Sequence, residues 1–283
     1  MKEIIKYQLK ARKGAIQLLL AIFGILNAAA WAAEIQALAH RTNEFTPMLA
    51  FWIPISVGVT VCTVIVMFFL CGAGHVDALL YKDTSYLMLT IPRRGWQILG
   101  GRFIAGLIEF LIYAVTAGVL LSIHLAIGLL MGENPGFTNF FTALGTSYYQ
   151  VFFVNAEAVI TLTLVILSVY ASSGILLTTV TVASRTLVKN RGISTAIGVA
   201  LFVIVTNWIL KFATFLGTTL DLAIPVRFRL ENAGPFRIAD AIHTGTITSK
   251  TFEIPLAPFI LFLLLATALF ALSSWLLEKK VEL

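Results

Sequence analysis

Residues 81–102 read YKDTSYLMLTIPRRGWQILGGR, and they separate two of the most apolar runs in the chain. Before them stands MLAFWIPISVGVTVCTVIVMFFLCGAG (48–74), and after them FIAGLIEFLIYAVTAGVLLSIHLAIGLLMG (103–132). A bilayer core about 30 Å thick is crossed by about 20 apolar residues in a helix, so each flanking run is long enough to span. Lys, Asp, Thr, Ser, Pro and three Arg gathered between two such runs mark a connection on one membrane surface. Reading the rest of the chain outward from this pair fixes the fold class.

The chain has 283 residues, 59% of them hydrophobic and 12% charged, with a mean hydropathy of +0.92. Soluble domains are roughly half apolar and a quarter charged, and no soluble fold of this length could hide the excess. Lipid requires every span to satisfy its own backbone hydrogen bonds, which favours helices. The short alternating segments of a membrane barrel are missing. Six runs meet the length test, at about 14–33, 48–72, 103–131, 154–182, 193–216 and 255–277. The expectation is an all-α integral membrane protein, a single transmembrane domain over 1–283, with no internal repeat and no separate soluble domain.

The N-terminal run has the basic start and small-residue end of a secretory leader. Its long basic region, and a stripe of Gly24, Ala28 and Ala32 suited to helix packing, favour a permanent first span. Cys62 and Cys71 lie on the second span about 13 Å apart along a helix and cannot bridge to each other. They read as small core residues.

Lys and Arg distribute unevenly. Fourteen fall in the N-terminal tail, the 81–102 connection, the connection after span four and the C-terminus. Six fall on the other side: Arg41, Lys211, Arg227, Arg229, Arg237 and Lys250. The positive-inside rule then puts both termini and the 81–102 connection in the cytoplasm. Trp31, Trp52 and Trp208 fall at the expected outer ends and Trp96 and Trp275 at the inner ends, as an aromatic belt requires. The net charge of +6 is therefore an orientation signal, and no nucleic-acid partner is expected.

Within the connection, His75–Tyr86 can form a short amphipathic helix, with Val76, Leu79, Leu80 and Leu87 near one face and Asp77, Lys82, Asp83 and Ser85 leaving polar surface. Pro92 ends that helix and can open the next. Arg93, Arg94 and Trp96 read as interfacial anchors, with Arg102 leading into span three. These residues suit either a solvated loop or a rigid docking element.

The run YKDTSYLMLTIPRRGWQILGGRFIAGL resembles the cytoplasmic signature of type-2 ABC exporter permeases. The matching residues are Asp83, Tyr86, Leu87, Leu89, Pro92, Arg93, Arg94, Ile98, Leu99 and Arg102. Arg102 replaces the more usual Lys, and Thr84 or Ser85 stands where an acidic residue is common. The span count, cytoplasmic termini and long external connection before span six agree with that family. The resemblance implies a coupling helix that docks in a separate ATPase subunit, through His75, Asp77, Leu80, Tyr81, Lys82, Asp83, Thr84, Ser85, Tyr86 and Leu87. It further implies two ATPase copies that bind ATP and Mg, and a second permease subunit, identical or paralogous. The setting would be the inner (cytoplasmic) membrane of a bacterium. The chain has no G-x-x-x-x-G-K-[ST] loop, so no cofactor and no enzyme activity of its own are expected.

Ionisable residues inside spans are functional candidates by default. Glu109 lies about 10 Å deeper than Arg102 on the same face and is expected to bond to it, locking span three to its neighbours, or to meet a substrate. Glu157 sits near the outer surface on a stripe with Thr161, Ser168 and Ser172. Ser56, Thr60 and Thr63 form a stripe on span two; the resemblance implies that spans two and five line the pathway, which makes this stripe the preferred lining candidate and Asn207 and Lys211 on span five the second. Hydroxyls of this kind also bond their own or neighbouring helices. His124, alone on span three, is expected to pack or to bond a backbone carbonyl. The four histidines lack metal-ligand spacing, and there is no G-x-S-x-G. In the connection 217–254, Pro235 can open an interfacial helix, or an external re-entrant element as the resemblance implies.

The expected function is the membrane-spanning subunit of an ATP-driven exporter. Few intramembrane charges favour an amphipathic or hydrophobic cargo, such as a peptide, lipid-like molecule or drug. The alternatives are an ion-coupled secondary transporter titrating Glu109 or Glu157, and a non-transporting immunity or sensor component.

Overall fold

The computed structural model describes residues 1–39, 47–76, 80, 94–130, 145, 148–188, 190–220, 223–229 and 249–279. Among them, six helices are long and apolar enough to cross a membrane: α1 (Lys2–Ala39), α2 (Pro47–Gly72), α3 (Gly95–Leu130), α4 (Ala156–Leu187), α5 (Arg191–Leu220) and α6 (Leu256–Lys279). Each expected span is a helix, and several overrun their apolar run. The overrun is largest in α1, whose 38 residues reach about 57 Å at 1.5 Å per residue. Its first turns are built of Lys, Glu, Gln, Ala and Arg, which are good helix formers, so nothing stops the helix where the lipid ends. A π-helical turn, Gln150–Val154, leads into α4.

Ile4, Val76, Leu80, Ile98, Leu99, Val182 and Leu277 pack in one cluster. The starts of α1 and α3 therefore meet the ends of α2, α4 and α6 at one end of the bundle. At the opposite end, Ala33 and Ala37 of α1 pack on Trp52 and Ile53 of α2. Between them Phe23, Met67, Cys71, Phe110, Tyr113 and Tyr170 form the central cluster. Phe110 and Tyr170 stack with centroids 5.1 Å apart, and Phe68 meets both edge-on.

Glycine sets the two tightest crossings. A Cβ on Gly106 of α3 would collide with the Cys71 backbone, and one on Gly174 of α4 with the Gly72 backbone. The last turn of α2 is thus wedged between α3 and α4 at a distance only Gly allows, as small residues permit between membrane helices. The expected Gly24–Ala28–Ala32 stripe is not used this way. Gly24 has open space at its Cβ position, Ala28 and Ala32 are exposed, and α1 buries Phe23, Asn27, Ala30 and Glu34 instead. Two polar side chains that need partners in an apolar medium outweigh a stripe of small ones in setting the rotation of α1.

The all-α expectation needs one correction. Strands β1 (Ala223–Arg229) and β2 (Ser249–Pro255) form an antiparallel ribbon before α6, with Val226 opposite Phe252. In AIPVRFR, Ile224, Val226 and Phe228 recur with period two and Arg227 and Arg229 fall between them, the pattern of a half-buried strand, and Val226 is buried. Pro225 donates no hydrogen bond, which a two-stranded ribbon of edges tolerates. Pro235 and the interfacial or re-entrant element expected around it lie outside the described residues.

Candidate functional site

The functional geometry gathers where α2 ends, immediately before the 81–102 connection. The helix closes in a Schellman motif: His75 N–H donates to the Leu70 carbonyl (3.2 Å) and Gly74 N–H to that of Cys71 (2.8 Å). Gly74 takes the left-handed conformation that such an ending needs. His75 is left-handed as well, with φ of 50°, a conformation that costs a non-glycine residue and calls for compensation.

The compensation is visible in the carbonyls. Ala73 O accepts from Thr178 of α4 at 3.2 Å. Gly74 O accepts from Gln8 of α1 at 3.2 Å and from Arg102 Nε of α3 at 3.1 Å. His75 O accepts from Arg102 Nη2 at 3.2 Å. Three successive carbonyls are therefore held by side chains from three different helices. Arg102, 7% exposed, puts its charge against the negative end of the α2 dipole. It bonds to these carbonyls, whereas the sequence had pointed it at Glu109.

The His75 ring turns inward to Glu109, which is fully buried. His75 Nε2 lies 3.1 Å from Glu109 Oε2. Arg12 of α1 forks onto the same carboxylate, with Nη2 2.9 Å and Nε 3.3 Å from Oε1, and Tyr113 donates its hydroxyl to Oε1 at 3.2 Å. A buried carboxylate persists only when paired and hydrogen-bonded, and here α1, α3 and the end of α2 supply the partners. The sequence missed Arg12, because the two residues stand 97 positions apart and Arg12 reads as part of a basic tail.

Cys71, His75 and Glu109 also bring three metal-ligating atoms within 4.8 Å of one another, although the histidines show no ligand spacing along the chain. His75 Nε2 faces both the Cys71 thiol (3.7 Å) and Glu109, so one nitrogen meets both neighbours. A Cys–His–acid relay needs both ring nitrogens, and this arrangement cannot serve as one. The Arg12 fork already neutralises Glu109, so the group works as an ion-pair node tying three helices.

A second buried network lies near the opposite end of the bundle. His124 of α3 contacts Glu34 of α1 (Nδ1–Oε1, 2.6 Å) and Asn27 of α1 (Nε2–Oδ1, 2.9 Å), and Asn27 donates to Thr60 of α2 at 3.1 Å. His124 thus meets two side chains of α1, where packing or a backbone carbonyl was expected. Its partner Glu34 was hidden in the run NAAAWAAEIQ, which looks like the polar exit of a span. Trp31, read as a belt residue, has its indole N–H buried and its ring 5.8 Å from that of His124.

The other sequence candidates divide by exposure. Ser56 and Thr60 are fully buried, bonding to the Ile53 carbonyl and Asn27, and Thr63 is half-buried beside them. Within one chain that stripe is a helix contact. Glu157, Asn207 and Lys211 are exposed. Trp96 is exposed and Arg94 begins the turn into α3, whose first N–H is capped by Glu278 of α6. Val76 and Leu80 are buried among α3, α4 and α6. Asp77, Tyr81, Lys82, Asp83, Thr84, Ser85, Tyr86, Leu87, Pro92 and Arg93 lie outside the described residues.

Six apolar helices around buried polar nodes make this chain a multi-pass helical membrane protein. No family model, no curated protein and no solved structure matches it.

Proposed function

We propose that the chain is the membrane-spanning permease subunit of an ATP-driven exporter of the type-2 ABC class. The observation that carries the reading is the grip on residues 73–75. The candidate coupling segment begins where Thr178, Gln8 and Arg102 hold three consecutive carbonyls, with the Arg12–Glu109–His75 node directly beneath. A push or pull on residues 76–87 would reach α1, α3 and α4 together through these bonds, as a coupling element requires. The signature quoted from residues 81–107 supplies the other half of the support.

On this reading both termini and the coupling segment face the cytoplasm, in the inner membrane of a bacterium. Two ATPase subunits bind ATP and Mg, a second permease completes the pathway, and the cargo is amphipathic or hydrophobic. The chain itself catalyses nothing.

The test is co-purification of the tagged chain with the ATPase encoded nearest to it, followed by ATPase assay in lipid. Capture of the ATPase is expected, with loss of capture in the Tyr86→Asp/Leu87→Asp variant. Failure to capture it, or equal capture by that variant, would sink the proposal. Arg102→Ala is expected to retain capture while uncoupling ATP hydrolysis from cargo.

A further inference from the structure

The network at Glu34 and His124 fixes its own proton count. Asn27 Nδ2 is 2.8 Å from the Phe23 carbonyl and 3.1 Å from Thr60 Oγ1. Turning the amide over would set its oxygen against a carbonyl, and both can only accept. Asn27 therefore presents Oδ1 to His124, and Nε2, 2.9 Å away, must carry hydrogen. The other ring nitrogen is 2.6 Å from Glu34 Oε1, a contact that needs one proton between them. That proton sits on Nδ1, giving imidazolium and carboxylate, or on the carboxyl, giving two neutral groups. Either way the pair carries the same number of protons and no net charge.

Losing that proton would leave two acceptors facing each other at 2.6 Å and a net negative charge among apolar side chains. Gaining another would leave a net positive one. Glu34 is 3% exposed and His124 9%, so solvent screens neither. Among the described residues, Glu34 is the only charged side chain on α1 beyond Lys13, and α2 has none. On α3 Glu109 stands fifteen positions before His124, about 22 Å away along the helix. Of the other titratable groups on the packed helices, Cys62 is exposed on α2, Cys71 and Tyr113 lie at the Glu109 node, Arg102 holds the carbonyls at the end of α2, and Tyr7 stands among the charged first turns of α1; Tyr148 reaches Ser122 at 3.0 Å. His40, Arg41 and Glu44 lie outside the described residues.

We propose that Glu34 and His124 form a proton-binding site in which one proton holds α1 against α3 and is released when the two helices part. The ligand is a proton from the aqueous phase. The site stands apart from the ATPase-docking segment and does not depend on the exporter reading. Parted and wetted, a carboxyl titrates near 4.3 and an imidazole near 6.5. Above about pH 6.5 the parted pair is a carboxylate and a neutral imidazole, one proton fewer than the packed pair. Rising pH therefore favours parting, by up to about tenfold per pH unit. Between those two values the parted imidazole is charged, the proton counts match, and the dependence disappears.

The test is a distance measurement on the full chain in lipid nanodiscs. Spin labels are attached at Ile35→Cys and Val119→Cys, both exposed positions, in a Cys62→Ser background. From about pH 6 to about pH 9, a longer-distance component is expected to grow. Glu34→Gln puts an amide N–H on Nδ1 and leaves no proton to release, so this variant should hold the short distance from about pH 6.5 to about pH 9. Glu157→Gln, at an exposed position, should keep the parent's response. A distance distribution in the parent that ignores pH overturns the proposal, whatever the variants do. So does a Glu34→Gln response equal to the parent's, which would assign the proton to another group such as the His75–Glu109 pair.

Discussion

At Glu109 a carboxylate with no exposure survives because Arg12, His75 and Tyr113 surround it. Breaking a buried pair by removing one partner costs about 3–5 kcal/mol, since the other charge is left uncompensated. Arg12→Ala should cost the lower part of that range, because the Arg12 side chain is 29% exposed and partly screened already. Adding Glu109→Gln to Arg12→Ala should restore most of the loss. Thermal unfolding in lipid of the parent, Arg12→Ala, Glu109→Gln and the double variant checks this, and additive losses would show that the two residues do not act as a pair. The exposed Glu157 offers a control: Glu157→Gln should leave the transition within about 0.5 kcal/mol of the parent. Glu109 was legible in the sequence as an intramembrane charge. Its partner was not, because an ion pair across 97 positions leaves no trace in local spacing.

The elements obey the period of their apolar residues, but their crossings depend on single glycines. Gly106→Ala and Gly174→Ala place a methyl against a neighbouring backbone that cannot move aside as a flexible side chain could. Both should lower the yield of folded protein and the transition temperature sharply. Gly24→Ala meets open space and should be neutral or stabilising by up to about 1 kcal/mol, the helix propensity difference. The three variants expressed side by side decide it; equal behaviour would refute the role of close approach. All three glycines look alike in the sequence. The β1–β2 ribbon could have been read from alternation in AIPVRFR, but the all-helical expectation for the connection passed over it.

For the molecule as a whole, orientation is the next quantity to measure. An impermeant maleimide applied to intact cells should label Asp240→Cys and spare Lys2→Cys, in a background without Cys62; the reverse pattern would invert the membrane sidedness. Among the described residues, helix α5 exposes Val199, Val203, Ile204, Trp208 and Phe212 along its length, an apolar face that suits lipid or a second subunit. The sequence alone determined that the chain lives in lipid, which six segments cross it, and which short connection carries the concentrated polar chemistry. Those follow from composition and run length, because a bilayer tests each span individually for apolar content and hydrogen-bond closure. Only the tertiary structure decided which polar residues meet. Arg102 went to the carbonyls of Gly74 and His75, Glu109 to Arg12, and His124 to Glu34. The reason is physical: in an apolar medium each buried polar group must find a partner, and that partner is set by how helices rotate and cross, through contacts far apart in the chain.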